Sequence, residues 1–148
     1  MCAVDEFQLS LDSAIPGLEH LDGSILLTVG VPEGAENDRT GANVAEYATY
    51  NEFGTATIPA RPAFRQTIDT HLDEYVDDLA DVLLSGVAPE MALNQLGEQM
   101  AKDVSQSIRD WQTPPNADST VAQKGENNPL IDTESYAKSI VHRVARDG

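Results

Sequence analysis

Two amphipathic series between Pro62 and Trp111 constrain the fold of this chain more than any other feature. The first consists of apolar residues three or four positions apart, at Phe64, Ile68, Leu72, Tyr75, Val76, Leu79, Val82 and Leu83. The second consists of Leu93, Leu96, Met100, Val104, Ile108 and Trp111. Each series stays on one face of a helix with 3.6 residues per turn. Between them, Gly86 can adopt the left-handed conformation that ends a helix, and Pro89 suits the first turn of the next one. So short a link predicts an antiparallel helical hairpin over residues 62–111.

Strand patterns occur on both sides of the predicted hairpin. From Ser24 to Val31, apolar residues alternate with their neighbours, and Pro32 ends the run. A weaker alternation at Phe7, Leu9 and Leu11 lies within residues 1–23, which we expect to form an extended N-terminal arm. Residues 139–145 predict a final strand. Residues 44–53 also favour a strand, with a helix as the open alternative because their Ala, Glu and Tyr residues do not exclude one.

These elements predict one domain over residues 1–148 with an α+β fold. A small, mainly antiparallel sheet packs on the two-helix hairpin, and long polar loops cover residues 33–43 and 112–135. The hydrophobic fraction of 41% is sufficient for a core. No apolar run is long enough to span a membrane, and no export signal precedes the first strand. Cys2 is the single cysteine, which excludes an internal disulfide.

The charge of the chain is strongly acidic. It has 25 Asp and Glu residues against 9 Lys and Arg residues, a formal net charge of −16. Such a surface repels the nucleic-acid backbone, so direct DNA binding is not expected. Three interpretations stay open: ordinary solvated acidic faces, adaptation to high salt in a halophilic host, and a surface that meets a basic partner.

The sequence predicts no catalytic, cofactor or metal site. It contains no glycine-rich phosphate loop, no HExxH and no nucleophile elbow. His20, His71 and His142 lie far apart, outside any triad pattern. An acidic ladder on the first long helix comprises Asp69, Asp73, Asp77 and Asp81, with Glu74 and Asp78 alongside. Because such a ladder diverges in space whereas hard cations need converging carboxylates, we interpret it as a solvated face. We therefore expect no enzymatic activity.

An ordered series of short motifs extends from about Val44 to Val144. It runs through E-F-G-T at 52–55, I-P-A-R-P-A-F at 58–64, P-P-N at 114–116, K-G at 124–125, P-L-I-D-T at 129–133 and S-I at 139–140. In this order and spacing the chain resembles the tail-completion or neck family of long-tailed viruses, small virion proteins that join head and tail. It departs from the family at Glu134, where a glycine commonly follows D-T, and in its acidic surface.

The resemblance implies a structural protein that forms a homo-oligomeric ring, a hexamer or a dodecamer, around the DNA channel. Its partners would be further copies of itself and the adjacent connector and tail-tube proteins. DNA would pass through the channel without specific binding, and no membrane would be involved. The protein would be assembled in the host cytoplasm and reside in the neck of the virion. Loops 33–43 and 112–129 would contact adjacent rings.

Eight residues are the candidate interface residues: Glu52, Phe53, Arg61, Arg65, Pro114, Pro115, Leu130 and Ile131. Glu52 and Arg61 are expected to fix a corner of the chain, by a mutual pair or across a subunit boundary. The alternative is a strand end with a core ring and a loop. Arg61 and Arg65 are expected to meet carboxylates, since the chain has few cations. Leu130 and Ile131 would dock either on the chain's own core or on a neighbouring subunit.

Two other functions stay open. A tail-terminator ring that caps the tail tube belongs to the same class of virion protein. A soluble acidic inhibitor that imitates DNA belongs to another class, and would be a monomer that binds a basic partner.

Overall fold

Seven helices and strands make up the part of the chain that the structure describes. This computed structural model describes residues 2–5, 24–37, 41–57, 59–111 and 135–147. In chain order the elements are β1 (Cys2–Asp5), β2 (Ser24–Val31), α1 (Val44–Phe53), α2 (Ala63–Leu84), α3 (Pro89–Asp110), α4 (Ser135–Lys138) and β3 (Val141–Asp147). The fold is α+β, as predicted.

The helical hairpin is confirmed, with α2 and α3 each 22 residues long. Gly86 adopts a φ of 97° in the connection, and Pro89 stands in the first turn of α3. Both predicted apolar series supply the core, through residues such as Phe64, Met100 and Ile108, each fully buried. The hairpin therefore forms because each helix covers part of the other's apolar face, while the remaining apolar surface faces the sheet.

The sheet has three antiparallel strands in the order β1-β2-β3. The predicted strand over residues 24–31 is confirmed as the central strand, and the final strand lies at Val141–Asp147, two residues later than expected. The alternate residues Ile25, Leu27, Val29 and Val31 of β2 are buried. α3 crosses this face so closely that Gly97 lies against Leu27 and the ring of His142. Helix α3 thus lies between α2 and the sheet.

The prediction of a strand over residues 44–53 is wrong, because these residues form helix α1. Asn43 caps the helix by accepting a hydrogen bond from the N–H of Glu46 at 3.2 Å. Gly54, with a φ of 76°, ends it by donating its N–H to the carbonyl of Tyr50 at 2.8 Å. The buried residues are Val44, Ala45, Ala48, Asn51 and Glu52. They repeat with a helical period, whereas the predicted two-faced alternation would have split them.

The described part of loop 33–43 is a narrow turn. Glu36 and Asn43 form an isolated β-bridge, and the N–H of Asn37 donates to the carbonyl of Ala42 at 2.8 Å. The N–H of Val44 donates to the carbonyl of Ala35 at 2.9 Å. This turn therefore fixes the point at which α1 begins.

The acidic ladder of α2 is a solvated face, as predicted. All six of its carboxylates are exposed: Asp69, Asp73, Glu74, Asp77, Asp78 and Asp81. Within the residues that the structure describes, no group of three or more His, Cys, Asp or Glu side chains could hold a metal ion. The same residues include no helix long and apolar enough to cross a membrane.

The acidic face of α2 makes the free energy of unfolding depend on the salt concentration. Like charges at positions i and i+4, such as Asp69 and Asp73 or Asp73 and Asp77, each cost a few tenths of a kcal/mol. We expect the free energy of unfolding to rise by about 1 kcal/mol between 0.05 and 0.5 M KCl, where the screening length falls below the spacing of most exposed charges. Urea unfolding at several KCl concentrations measures this increase. The variant Asp73→Asn/Asp77→Asn should gain less, and equal stability at both salt concentrations would contradict the expectation.

Candidate functional site

The end of α1 and the connection that follows it bury three polar side chains. Asn51, Glu52 and Arg61 are 1%, 2% and 9% exposed. These residues come from the E-F-G-T and I-P-A-R-P-A-F motifs and their immediate neighbour. Buried polar groups are stable only when their hydrogen bonds are made, so their partners define the geometry of this site, the α1–α2 corner.

The carboxylate of Glu52 caps helix α2 from the end of the preceding helix. Its Oε2 accepts the N–H of Phe64 at 3.2 Å, and its Oε1 accepts the N–H of Arg65 at 2.9 Å. The residue at the N-cap position of α2, Pro62, makes no side-chain cap hydrogen bond. A carboxylate here satisfies two N–H groups of the first turn and interacts favourably with the helix dipole.

Arg61 is held against the end of α1 through Asn51. The N–H of Arg61 donates to the carbonyl of Asn51 at 2.5 Å, and its Nη1 donates to Asn51 Oδ1 at 3.4 Å. Asn51 Nδ2 in turn donates to the carbonyl of Tyr47 at 2.9 Å. Burial lowers the pKa of the Arg61 guanidinium from its usual high value. The structure thus places Glu52 and Arg61 in one corner, with backbone groups and Asn51 among their partners.

On its outer side the corner exposes aromatic rings beside a cation. Phe53 is 56% exposed and Tyr50 is 42% exposed. The guanidinium of Arg65 lies over the ring of Phe53, 5.6 Å from its centroid, at a distance typical of a cation–π contact. The expectation for Arg65 was a carboxylate, but the partner that the structure gives its guanidinium is this ring. We call Tyr50, Phe53 and Arg65 the aromatic patch.

Helix α4 supports the corner from behind. The ring of Tyr136 meets that of Tyr47 edge to face, with centroids 5.7 Å apart. Tyr136 is 3% exposed. Burial is the main cause that raises the pKa of the Tyr136 hydroxyl well above the usual value for a tyrosine, and the negative charge of Glu52 raises it further. The hydroxyl therefore stays neutral, and the ring of Tyr136 packs behind the corner.

Several titratable side chains outside the corner are engaged in local contacts. His71 lies 3.3 Å from Glu74 on the exposed face of α2, and His142 lies 3.1 Å from Asn94. A groove of about 800 Å³ between α3 and the start of β3 is lined in part by Glu98, Lys102, Arg109, Lys138 and His142. Lys102 forms an ion pair with Glu98 at 2.9 Å, and this hydrogen bond lowers the pKa of the exposed carboxylate. These contacts are local pairs on the surface of the described residues.

Half of the candidate interface residues lie outside the described residues. These are Pro114, Pro115, Leu130 and Ile131. Loop 112–129 as a whole also lies outside the described residues. The expected strand at Phe7–Leu11 and His20 also lie outside them. The other four candidates, Glu52, Phe53, Arg61 and Arg65, come together at the α1–α2 corner.

Comparisons of the chain with models of protein families, with curated proteins and with solved structures gave no match. Inferences about function therefore depend on the order of the motifs and on the geometry of the corner that two of them form.

Proposed function

We propose that this protein is a structural component of the head–tail connector of a long-tailed virus, in the neck or tail-completion position. Copies of the chain form a ring around the DNA channel, and the protein performs no chemical reaction. The observation that carries this proposal is the α1–α2 corner, because two of the motifs that carry the resemblance fold into one site. In that site Asn51, Glu52 and Arg61 are buried while Phe53 and Arg65 face outward.

A corner of this kind suits contact between subunits. Its polar groups are fixed internally, by the hydrogen bonds of Glu52 to the start of α2 and of Arg61 to Asn51. The outward ring and guanidinium are therefore held in place before any partner arrives. Exposed aromatic residues and arginine are enriched in protein interfaces, and preorganised side chains lose little freedom on binding.

The acidity suits a channel that DNA traverses without being held. Each copy has a formal net charge of −16, and a ring multiplies this charge around the lumen. The phosphate backbone is repelled by such a surface, so DNA slides through rather than binding. In a closed ring each subunit uses two different surfaces, one toward each neighbour.

Purified virions test the proposal directly. We expect the protein to be present in them and to lie at the head–tail junction in an averaged electron-microscopy map. Without the protein, DNA-filled heads and complete tails should accumulate unjoined. Infectious, intact particles that lack the protein would contradict the proposal. Density that caps the tail tube, one layer further from the head, would favour the tail-terminator ring.

The exposed carboxylates of α2 favour one alternative of another class, an inhibitor that imitates DNA. Asp69, Asp73, Asp77 and Asp81 stand in a row about 6 Å apart along the helix. An inhibitor of this kind would be a monomer that binds a DNA-binding protein and loses affinity steeply as salt increases. Absence from virions together with such binding would favour it over the connector.

A further inference from the structure

A groove opens between α2 and α3 at the end of the hairpin far from the α1–α2 corner. It has a volume of about 290 Å³. Its lining includes apolar side chains from both helices, at Leu79, Val82, Ala92 and Leu96. The carboxylates of Asp78 and Asp81 also line it, and both residues are exposed. We call this the hairpin groove.

Two large apolar side chains stand exposed at the same end of the hairpin. Leu84, the last residue of α2, is 62% exposed, and Met91, in the first turn of α3, is 58% exposed. Both flank the connection at residues 85–88. Neither residue lines the hairpin groove, and soluble proteins commonly expose single apolar residues.

The aromatic patch and the hairpin groove are complementary in chemistry. The patch offers a ring, Phe53, beneath a guanidinium, Arg65. The groove offers an apolar lining with carboxylates beside it, in Asp78 and Asp81. In a chain with only 9 Lys and Arg residues, an exposed arginine on an aromatic surface is a distinctive counterpart for an acidic groove. Arginine binds carboxylates in a directed, two-pronged geometry that a point charge does not provide.

The two surfaces cannot meet within one subunit. Arg65 lies in the first turn of α2 and Asp81 in its last, so the helix holds them about 24 Å apart. A contact between them must join two copies, and each copy then keeps one unused surface of each kind. This is the arrangement that generates a ring when the rotation between copies closes.

We propose that the aromatic patch of one copy docks in the hairpin groove of the next, with Phe53 against the apolar lining and Arg65 paired with Asp78 and Asp81. The contact is heterologous and joins subunits head to tail. It rests on the proposed function, because it specifies how copies in the connector ring contact one another. It assigns to α2 the role of a spacer that sets the distance between successive contacts.

Cross-linking between two cysteine variants tests this contact in the full-length protein. All variants include Cys2→Ser, which removes the single cysteine of the chain. One population carries Asp69→Cys, one turn from Arg65, and a second carries Gln95→Cys, at the groove; both positions are exposed. After treatment of the concentrated mixture with a short bismaleimide, we expect at least fivefold more mixed dimer than in a control pairing of Asp69→Cys with the exposed Arg143→Cys.

Three further variants establish which side chains make the contact. Phe53→Ser in the first population should reduce the mixed dimer to the control level, and circular dichroism should show an unchanged fold because this ring is exposed. Arg65→Asp in the first population or Asp81→Arg in the second should do the same, and the two together should restore the dimer. Mixed dimer at the control level, dimer that survives Phe53→Ser, or no rescue by the paired charge reversal would overturn the proposal.

The result is distinguishable from that of the virion experiment. If the protein lies at the head–tail junction but the mixed dimer stays at the control level, the connector function stands and this contact is wrong. If the mixed dimer forms and responds to the charge reversals but virions lack the protein, the contact stands and the connector function is wrong.

Discussion

Replacing Glu52 with alanine is expected to lower the free energy of unfolding by about 3 kcal/mol. The carboxylate is 2% exposed and accepts the N–H groups of Phe64 and Arg65. Its removal leaves two donors without that acceptor at the start of a helix whose cap residue, Pro62, supplies none. It also leaves a cavity at the corner. Each of these effects is among the few that make single substitutions strongly destabilising.

Urea unfolding followed by circular dichroism measures the loss. Glu52→Gln should lie between alanine and the native residue, because the amide keeps an acceptor oxygen but not the charge that favours a helix N-terminus. Asp73→Ala is the matched control, since it removes an exposed carboxylate from the acidic face and should change stability by less than about 0.5 kcal/mol. A Glu52→Ala variant as stable as this control would show that the cap contributes little to the free energy of unfolding.

The second large effect is expected at Gly97, where α3 lies against the sheet. A methyl group there would lie 2.6 Å from His142 Cδ2 and 2.7 Å from Leu27 Cδ1. Helix propensity alone would make Gly97→Ala stabilising by about 1 kcal/mol. We instead expect it to be destabilising by about 1 kcal/mol, and Gly97→Val by about 3 kcal/mol, because Leu27 is buried in the core and the ring of the half-buried His142 would also have to move.

Thermal and urea unfolding of both variants test the close approach. Gln95→Ala, at an exposed site two residues earlier on α3, is the control for propensity and should change stability little. Combining Gly97→Ala with His142→Ala should cost less than the sum of the two single changes, since the double variant removes one of the clashing partners. A Gly97→Ala variant more stable than the native protein would contradict the packing.

The helical hairpin and the central strand could be predicted because their burial patterns are long and one-sided. Phe64, Ile68, Tyr75, Leu79 and Leu83 repeat over about five turns, so no other period fits them. Helix α1 was only the alternative to a predicted strand, because it has only 10 residues and its buried face includes the polar Asn51 and Glu52. Because neither residue is apolar, the hydrophobic pattern of the sequence does not show the helical period of that face. Asn43 and Gly54, which cap its two ends, are the signals in the sequence that could have favoured the helical alternative.

The hydrogen bonds of the α1–α2 corner were not predicted, and its role as an interface stays a prediction. Glu52 and Arg61 were expected to fix a corner, and they do lie in one. That Glu52 caps α2 was missed, although a helix that begins after Pro62 without a side-chain cap needs an acceptor from elsewhere. The hairpin groove could not be predicted, because its lining residues come from two helices and its depth depends on how these helices cross.

Strand β2 is central in the sheet, yet one of its two neighbours, β3, follows both long helices in the chain. Pairs such as Leu27 with Val144 therefore close a loop that contains most of the protein. Because the helices are joined by four residues, we expect them to form from local contacts before distant segments meet to complete the sheet. Until that encounter the apolar side of α3 that will meet the sheet is unprotected. We therefore expect folding to end when α3 packs on the completed sheet. That step removes the apolar side of α3 from contact with other copies of the chain.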